Sequence, residues 1–219
     1  HAFWTSPWWW TTGILFEAVN QDIAAFRTAG AWLLCGIAGV VAVLAVRLVL
    51  VDQRPLTTRL RTAVMALGAV VGWLGGLLFY SGFLRTPGYN WANAVGILLA
   101  ASGFLVAAFP RGGRAAGAVS STATGLGLVL AGPAKPSTPI LLLAILVFAV
   151  LALRGRLVVL CYLGGSLASS ALFALVFVVL GFWPRDALGT LVLMAHQPQL
   201  TSGQTIRGAF TELAMAPAR

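Results

Sequence analysis

Residues 29–51 read AGAWLLCGIAGVVAVLAVRLVLV, and residues 52–61 follow with DQRPLTTRLR. The first stretch is 23 residues long and holds one charge, Arg47, near its end. As a helix rising about 1.5 Å per residue it measures about 35 Å, enough to cross a hydrocarbon layer about 30 Å thick. The second stretch is interrupted by Pro55 and carries Arg54, Arg59 and Arg61. An apolar span that ends in arginines is the repeating unit of a polytopic membrane protein.

The unit recurs along the chain. Further apolar runs extend from Thr62 to Leu84, Trp91 to Phe109, Ala115 to Gly132, Ser137 to Leu153 and Leu157 to Trp183. A spanning helix needs about 17–25 residues, so the fourth and fifth runs lie at the short end and the sixth is long enough to tilt. Pro139 suits the first turn of the fifth, where a missing N–H costs nothing. Composition agrees: 59% of residues are hydrophobic and 9% charged, with a mean hydropathy of +0.93. Soluble domains carry roughly a quarter charged residues. The expected fold is an all-α polytopic integral membrane protein with about six transmembrane helices in residues 29–183. An outer-surface, Trp-rich amphipathic segment is expected in residues 1–28, and an extracytoplasmic segment in residues 184–219.

Charge sets the expected threading. The net charge is +9, but the basic residues fall in the gaps between apolar runs and form no single patch, which argues against nucleic acid. Arg47, Arg54, Arg59 and Arg61 mark the first connection, Arg111 and Arg114 the third, and Arg154 and Arg156 the fifth. The second and fourth carry Arg85 and Lys135, with Arg27 and Arg185 on the same poorer side. The positive-inside rule then puts the odd connections in the cytoplasm and both termini outside a cell membrane. Trp4, Trp8, Trp9, Trp10, Trp32, Trp91 and Trp183 all fall at the expected outer surface, where an indole is half buried and its N–H stays wet. Trp73 alone sits mid-span.

From Thr12 to Arg27 the pattern predicts one amphipathic helix lying in the outer interface. Leu15, Phe16, Val19, Ile23 and Phe26 fall within an arc of about 100°. Glu17, Asn20, Gln21 and Arg27 lie opposite, and Asp22 breaks the edge of the stripe. The PWWW stretch, residues 7–10, would anchor it. A partner subunit could cover the same face. Beyond Pro198, Ser202 can cap a short helix with Ile206, Ala209, Phe210 and Leu213 on one side.

Small residues recur every four positions inside the spans. Gly68, Gly72 and Gly76 mark the second run, Ala92, Gly96 and Ala100 the third, Gly113, Gly117, Ser121 and Gly125 the fourth, and Gly164, Ala168, Gly165 and Ser169 the sixth. Residues four apart share a helix face, and small ones let two backbones approach, within the chain or between chains. The fifth run, ILLLAILVFAVLAL, has neither glycine nor a polar residue and suits lipid or an apolar groove of a partner. Ser120, Thr124, Ser166 and Ser170 supply hydroxyls for bonds between helices, or for a polar path.

Chemistry is thinly provided. On this threading no Asp, Glu, Lys or His lies in the bilayer core, whereas proton-coupled transport usually needs such groups there. Four haem ligands are missing, and GLGLVLAG, residues 125–132, is a span and not a phosphate loop. Cys35 and Cys161 differ too much in depth for a disulfide and read as small buried hydrophobes. The sharpest metal reading is copper held by the α-amine and imidazole of a mature N-terminal His1, with His196 adding a ligand and Met194 and Met215 as weak candidates. A trimmed chain explains His1 more simply.

These features favour a non-catalytic accessory or structural subunit of a larger membrane complex, with membrane lipids and other subunits as partners, bound lipid, and no cofactor. A transporter, channel or lipid-handling protein for a neutral or apolar substrate comes second. A copper-dependent membrane enzyme comes third.

Overall fold

A computed structural model of the chain describes residues 9–51, 57–84, 87–109, 113–135, 137–154, 156–181 and 189. The chain divides into units of residues 1–183 and 184–219, and all described residues except Gly189 belong to the first.

Every described element is helical. In chain order they are α1 (Trp9–Ala18), α2 (Ile23–Val49), α3 (Thr58–Phe79, widened into a π turn over Tyr80–Leu84), α4 (Tyr89–Ala108), α5 (Arg114–Ala134), α6 (Ser137–Arg154) and α7 (Arg156–Val179). Five are long and apolar enough to cross a membrane: α2, α3 with its π turn, α4, α5 and α7. The chain is therefore an all-α, multi-pass membrane protein. α6 is apolar over Ser137–Ala152 and shorter, about 24 Å at about 1.5 Å per residue.

The opening helix departs from expectation. Thr12 to Arg27 is not one helix, because Asn20 and Gln21 adopt φ of 55° and 62°, a left-handed conformation that ends α1. Asp22, the residue that broke the apolar stripe, is the N-cap of α2. Its Oδ1 accepts from the N–H groups of Ala24 and Ala25 at 2.7 and 3.3 Å. A capping carboxylate satisfies orphan donors and favours the positive helix end. α2 therefore starts at Ile23, so residue 28, the expected boundary, falls inside it. Thr57 caps α3 in the same way, accepting from Leu60 N–H at 3.3 Å, which starts that helix before Thr62.

The helices pack in an order different from their order in the chain. α2 lies between α3 and α4, α4 packs on α5, and α5 on α7; α6 fills the angle between α4, α5 and α7. α3 has α2 as its main neighbour. Contacts fix the directions. Gly76 meets Cys35, Gly72 meets Ala38 and Gly68 meets Val46, so α2 and α3 run antiparallel. Gly96 meets Ala131 and Gly103 meets Ser120, so α4 and α5 do too. Ser121 meets Gly165 and Gly125 meets Ser169, so α5 and α7 run parallel. α6 is thus the return limb between two parallel helices.

Among the described residues, two clusters of buried hydrophobic side chains stand out. Leu34, Tyr80, Trp91, Ala92 and Val95 form one, with Leu15 of α1 packed on it. Ala100, Leu146, Val150, Val159 and Tyr162 form the other. The outside is apolar as well: Leu78 is 72% exposed, Phe83 78% and Ile140 75%. Such a surface is stable against lipid and not against water.

Candidate functional site

Arginines gather at one end of the bundle. Arg47 closes α2, Arg59 and Arg61 open α3, Arg114 opens α5, Arg154 ends α6 and Arg156 opens α7. Arg47 Cζ lies 5.1 Å from the centroid of the Phe109 ring at the end of α4, a cation–π distance. Arg61 Nη2 donates to the Leu50 carbonyl at 3.4 Å. Arg27 and Lys135 lie at the other end, together with Glu17 and Asp22.

That second end is latched by aromatic donors. Trp91 Nε1 donates to Gly30 O at 2.9 Å, and Tyr80 Oη donates to Arg27 O at 2.8 Å. The Pro87 ring touches the spot where a Cβ on Gly30 would sit, so only glycine admits it there. Trp91 is 5% exposed: its ring faces protein and its N–H bonds to a carbonyl. It is a packing group, where a wet interfacial anchor was expected. Trp32 is 63% exposed and its ring lies 5.6 Å from that of Trp73. α1 packs on α2, α4 and α5 with Thr12 and Gly13 buried, and the Phe16 ring meets Phe26 edge-on at 5.2 Å. Ile23, assigned to the same apolar stripe, is 59% exposed.

The hydroxyl residues converge where α4, α5 and α7 meet. Ser120 Oγ donates to Gly103 O at 2.8 Å. Thr124 Oγ1 and Tyr162 Oη share a 2.8 Å bond. Ser170 Oγ donates to Ser166 O at 2.8 Å and Gly125 O at 3.2 Å. Ser166 Oγ is buried without a hydrogen-bond partner. A Cβ on Gly125 would stand 2.5 Å from Ser169 Cβ, so backbone contact fills this junction. Tyr162 is absent from the sequence-based candidates, yet Tyr162, Ser166 and Ser170 recur every four residues, a polar face that was legible in α7. Tyr162→Phe removes one interhelix bond, which is worth about 1 kcal/mol in a membrane core. Thermal unfolding in detergent should show that loss, and Thr124→Val with Tyr162→Phe should cost less than the two changes summed.

The expected small-residue positions divide into two groups. Gly68, Gly72, Gly76, Gly96, Gly125 and Gly165 lie where a neighbouring helix meets their backbone, and Ser121 and Ser169 supply neighbouring atoms. Among the described residues nothing lies within 4 Å of where a Cβ of Gly113, Gly117 or Gly164 would sit. Gly39, Gly103 and Gly127 make close approaches that the four-residue spacing did not pick out; Gly127 and Gly96 each meet the other's carbonyl oxygen. Cys35 is buried and Cys161 exposed, so Cys161 is not the buried hydrophobe expected; both are free thiols.

An apolar groove of about 620 Å³ runs between α2 and α3, lined by residues that include Cys35, Gly36, Val40, Val43, Leu44 and Trp73. None of the hydroxyl cluster lines it. Among the described residues no three or more His, Cys, Asp or Glu side chains group as a metal site. His1, His196, Trp4, Trp8, Trp183 and the Ile206–Leu213 face lie outside the described residues, as do the side chains of Trp9 and Trp10. No family model matches the sequence, and no curated protein or solved structure is significantly similar to it.

Proposed function

We propose that the chain is a non-catalytic subunit of a larger assembly in a cell membrane, crossing six times with both termini outside the cytoplasm. The observation that carries the subunit reading is the face of α5. Gly113, Gly117, Ser121 and Gly125 continue one stripe at four-residue spacing. Ser121 and Gly125 are covered by α7, while among the described residues nothing lies within 4 Å of where a Cβ of Gly113 or Gly117 would sit. Gly117 stands in register with Cys161, itself exposed. A small-residue face that outruns its partner within the chain suits a helix from another subunit. Three of the four hydroxyls proposed for a polar path already bond to helix groups, which counts against transport of a neutral substrate. The parallel run of α5 and α7 supports a sixth crossing by α6.

Purification in mild detergent followed by mass spectrometry should find further membrane subunits attached. Gly117→Leu should not lower the melting temperature of the chain, and should lower recovery of those subunits at least about tenfold, because a large side chain holds the partner helix off. Recovery of the chain alone, or full retention of partners by Gly117→Leu, would remove the reading.

A further inference from the structure

We propose that the α2–α3 groove holds one acyl chain of an anionic phospholipid, whose phosphate meets the arginines one turn beyond the groove. Length is the first reason. From Cys35 to Leu44 the groove follows nine residue steps of α2, about 14 Å at about 1.5 Å per residue. Half of a hydrocarbon layer about 30 Å thick is about 15 Å, so the groove matches the chain of one leaflet. Depth is the second. The groove stops at Leu44, and Arg47 follows on the same face as Gly36, Val40 and Val43, at headgroup level when the groove lies in hydrocarbon.

Charge is the third reason. Arg47 and Arg59 are exposed at this end, with Arg61 beside them. Between residues 47 and 61 the sequence holds four arginines and one aspartate, Asp52. Guanidinium groups match phosphate geometry, and a basic residue near an anionic headgroup favours binding about fivefold. The Phe109 ring under Arg47 holds its charge at this level. The lining suits a flexible chain better than a second helix. Bulky side chains such as Val40, Val43 and Trp73 make up most of its walls, although Gly36, Gly39 and Ala69 also line them, whereas close helix contacts use small residues throughout. The site stands whether or not the chain has protein partners.

The test is native mass spectrometry of the full chain in mild detergent, with equal phosphatidylglycerol and phosphatidylcholine added. The wild type should retain phosphatidylglycerol at least about fivefold over phosphatidylcholine. Gly36→Phe should cut that retention about tenfold with an unchanged melting temperature, since nothing lies within 4 Å of its Cβ position. Val40→Phe, at a half-exposed lining residue, should do the same and covers the case in which Gly36→Phe does not fold. Arg47→Gln should keep lipid but reduce the preference about fivefold. Equal retention of both lipids, or unchanged retention in both groove variants, would overturn the proposal. So would conversion of a wild-type dimer to a monomer by the groove variants with lipid still bound, which would assign the groove to a second copy.

Discussion

Gly125→Ala should lower stability and Gly125→Leu should prevent folding, whereas Gly117→Ala on the same helix should stabilise. These opposite signs are the expected result of comparing two glycines that look equivalent in sequence. Alanine is favoured over glycine in a helix by about 1 kcal/mol, so Gly117→Ala, in open space, should raise stability by up to that amount. At Gly125 a Cβ would stand 2.5 Å from Ser169 Cβ and 2.8 Å from Ser170 N. One of these helices would have to move, and the move would disturb the Ser170 bond to Gly125 O. Overpacking of this kind costs about 1–3 kcal/mol and can cost more. A leucine there should exceed that range, separating α5 from α7. Folded yield and thermal unfolding in detergent read both signs. Stabilisation by Gly125→Ala would mean that the α5–α7 contact is looser than its geometry.

Cysteines at Ser6 and Thr201, in a background lacking Cys35 and Cys161, should both react with an impermeant maleimide in intact cells, and a cysteine at Thr58 only after lysis. The difference should be nearly all-or-none. The expectation rests on the arginine-bearing end facing the cytoplasm and on α6 crossing as the return limb between parallel α5 and α7. Labelling of Ser6 and Thr201 from opposite sides would mean five crossings and place α6 at a surface. Labelling of Thr58 alone in intact cells would invert the whole threading.

Much of the helical layout was readable because it depends on local properties. Each spanning helix needs a run of apolar residues of a given length, and its ends need charge, a cap or a break. The runs beginning at Trp91, Ala115, Ser137 and Leu157 therefore start within two residues of α4, α5, α6 and α7. Where a start was misplaced, the cause was capping: Asp22 and Thr57 open α2 and α3 earlier than hydropathy suggests. The candidate site was less readable. Ser120, Thr124 and Ser170 bond to neighbouring helices, as hydroxyls in a span can, whereas Ser166 Oγ has no hydrogen-bond partner and the bond of Tyr162 to Thr124 depends on how α5 and α7 meet.

The sequence by itself determined the environment, the helical class and the segregation of arginine between helix ends. These follow from how much apolar surface the chain carries and where it stops. Only the tertiary structure decided which faces meet. In a helix apolar all round, burial has no azimuthal signal, because lipid and protein interior accept the same side chains. So Gly117 and Gly125 read alike although one is open and the other covered. Trp91 reads as an anchor although its N–H is spent on Gly30. The α2–α3 groove could not be read at all, since its walls come from two helices whose register is set by how closely Gly68, Gly72 and Gly76 let them approach.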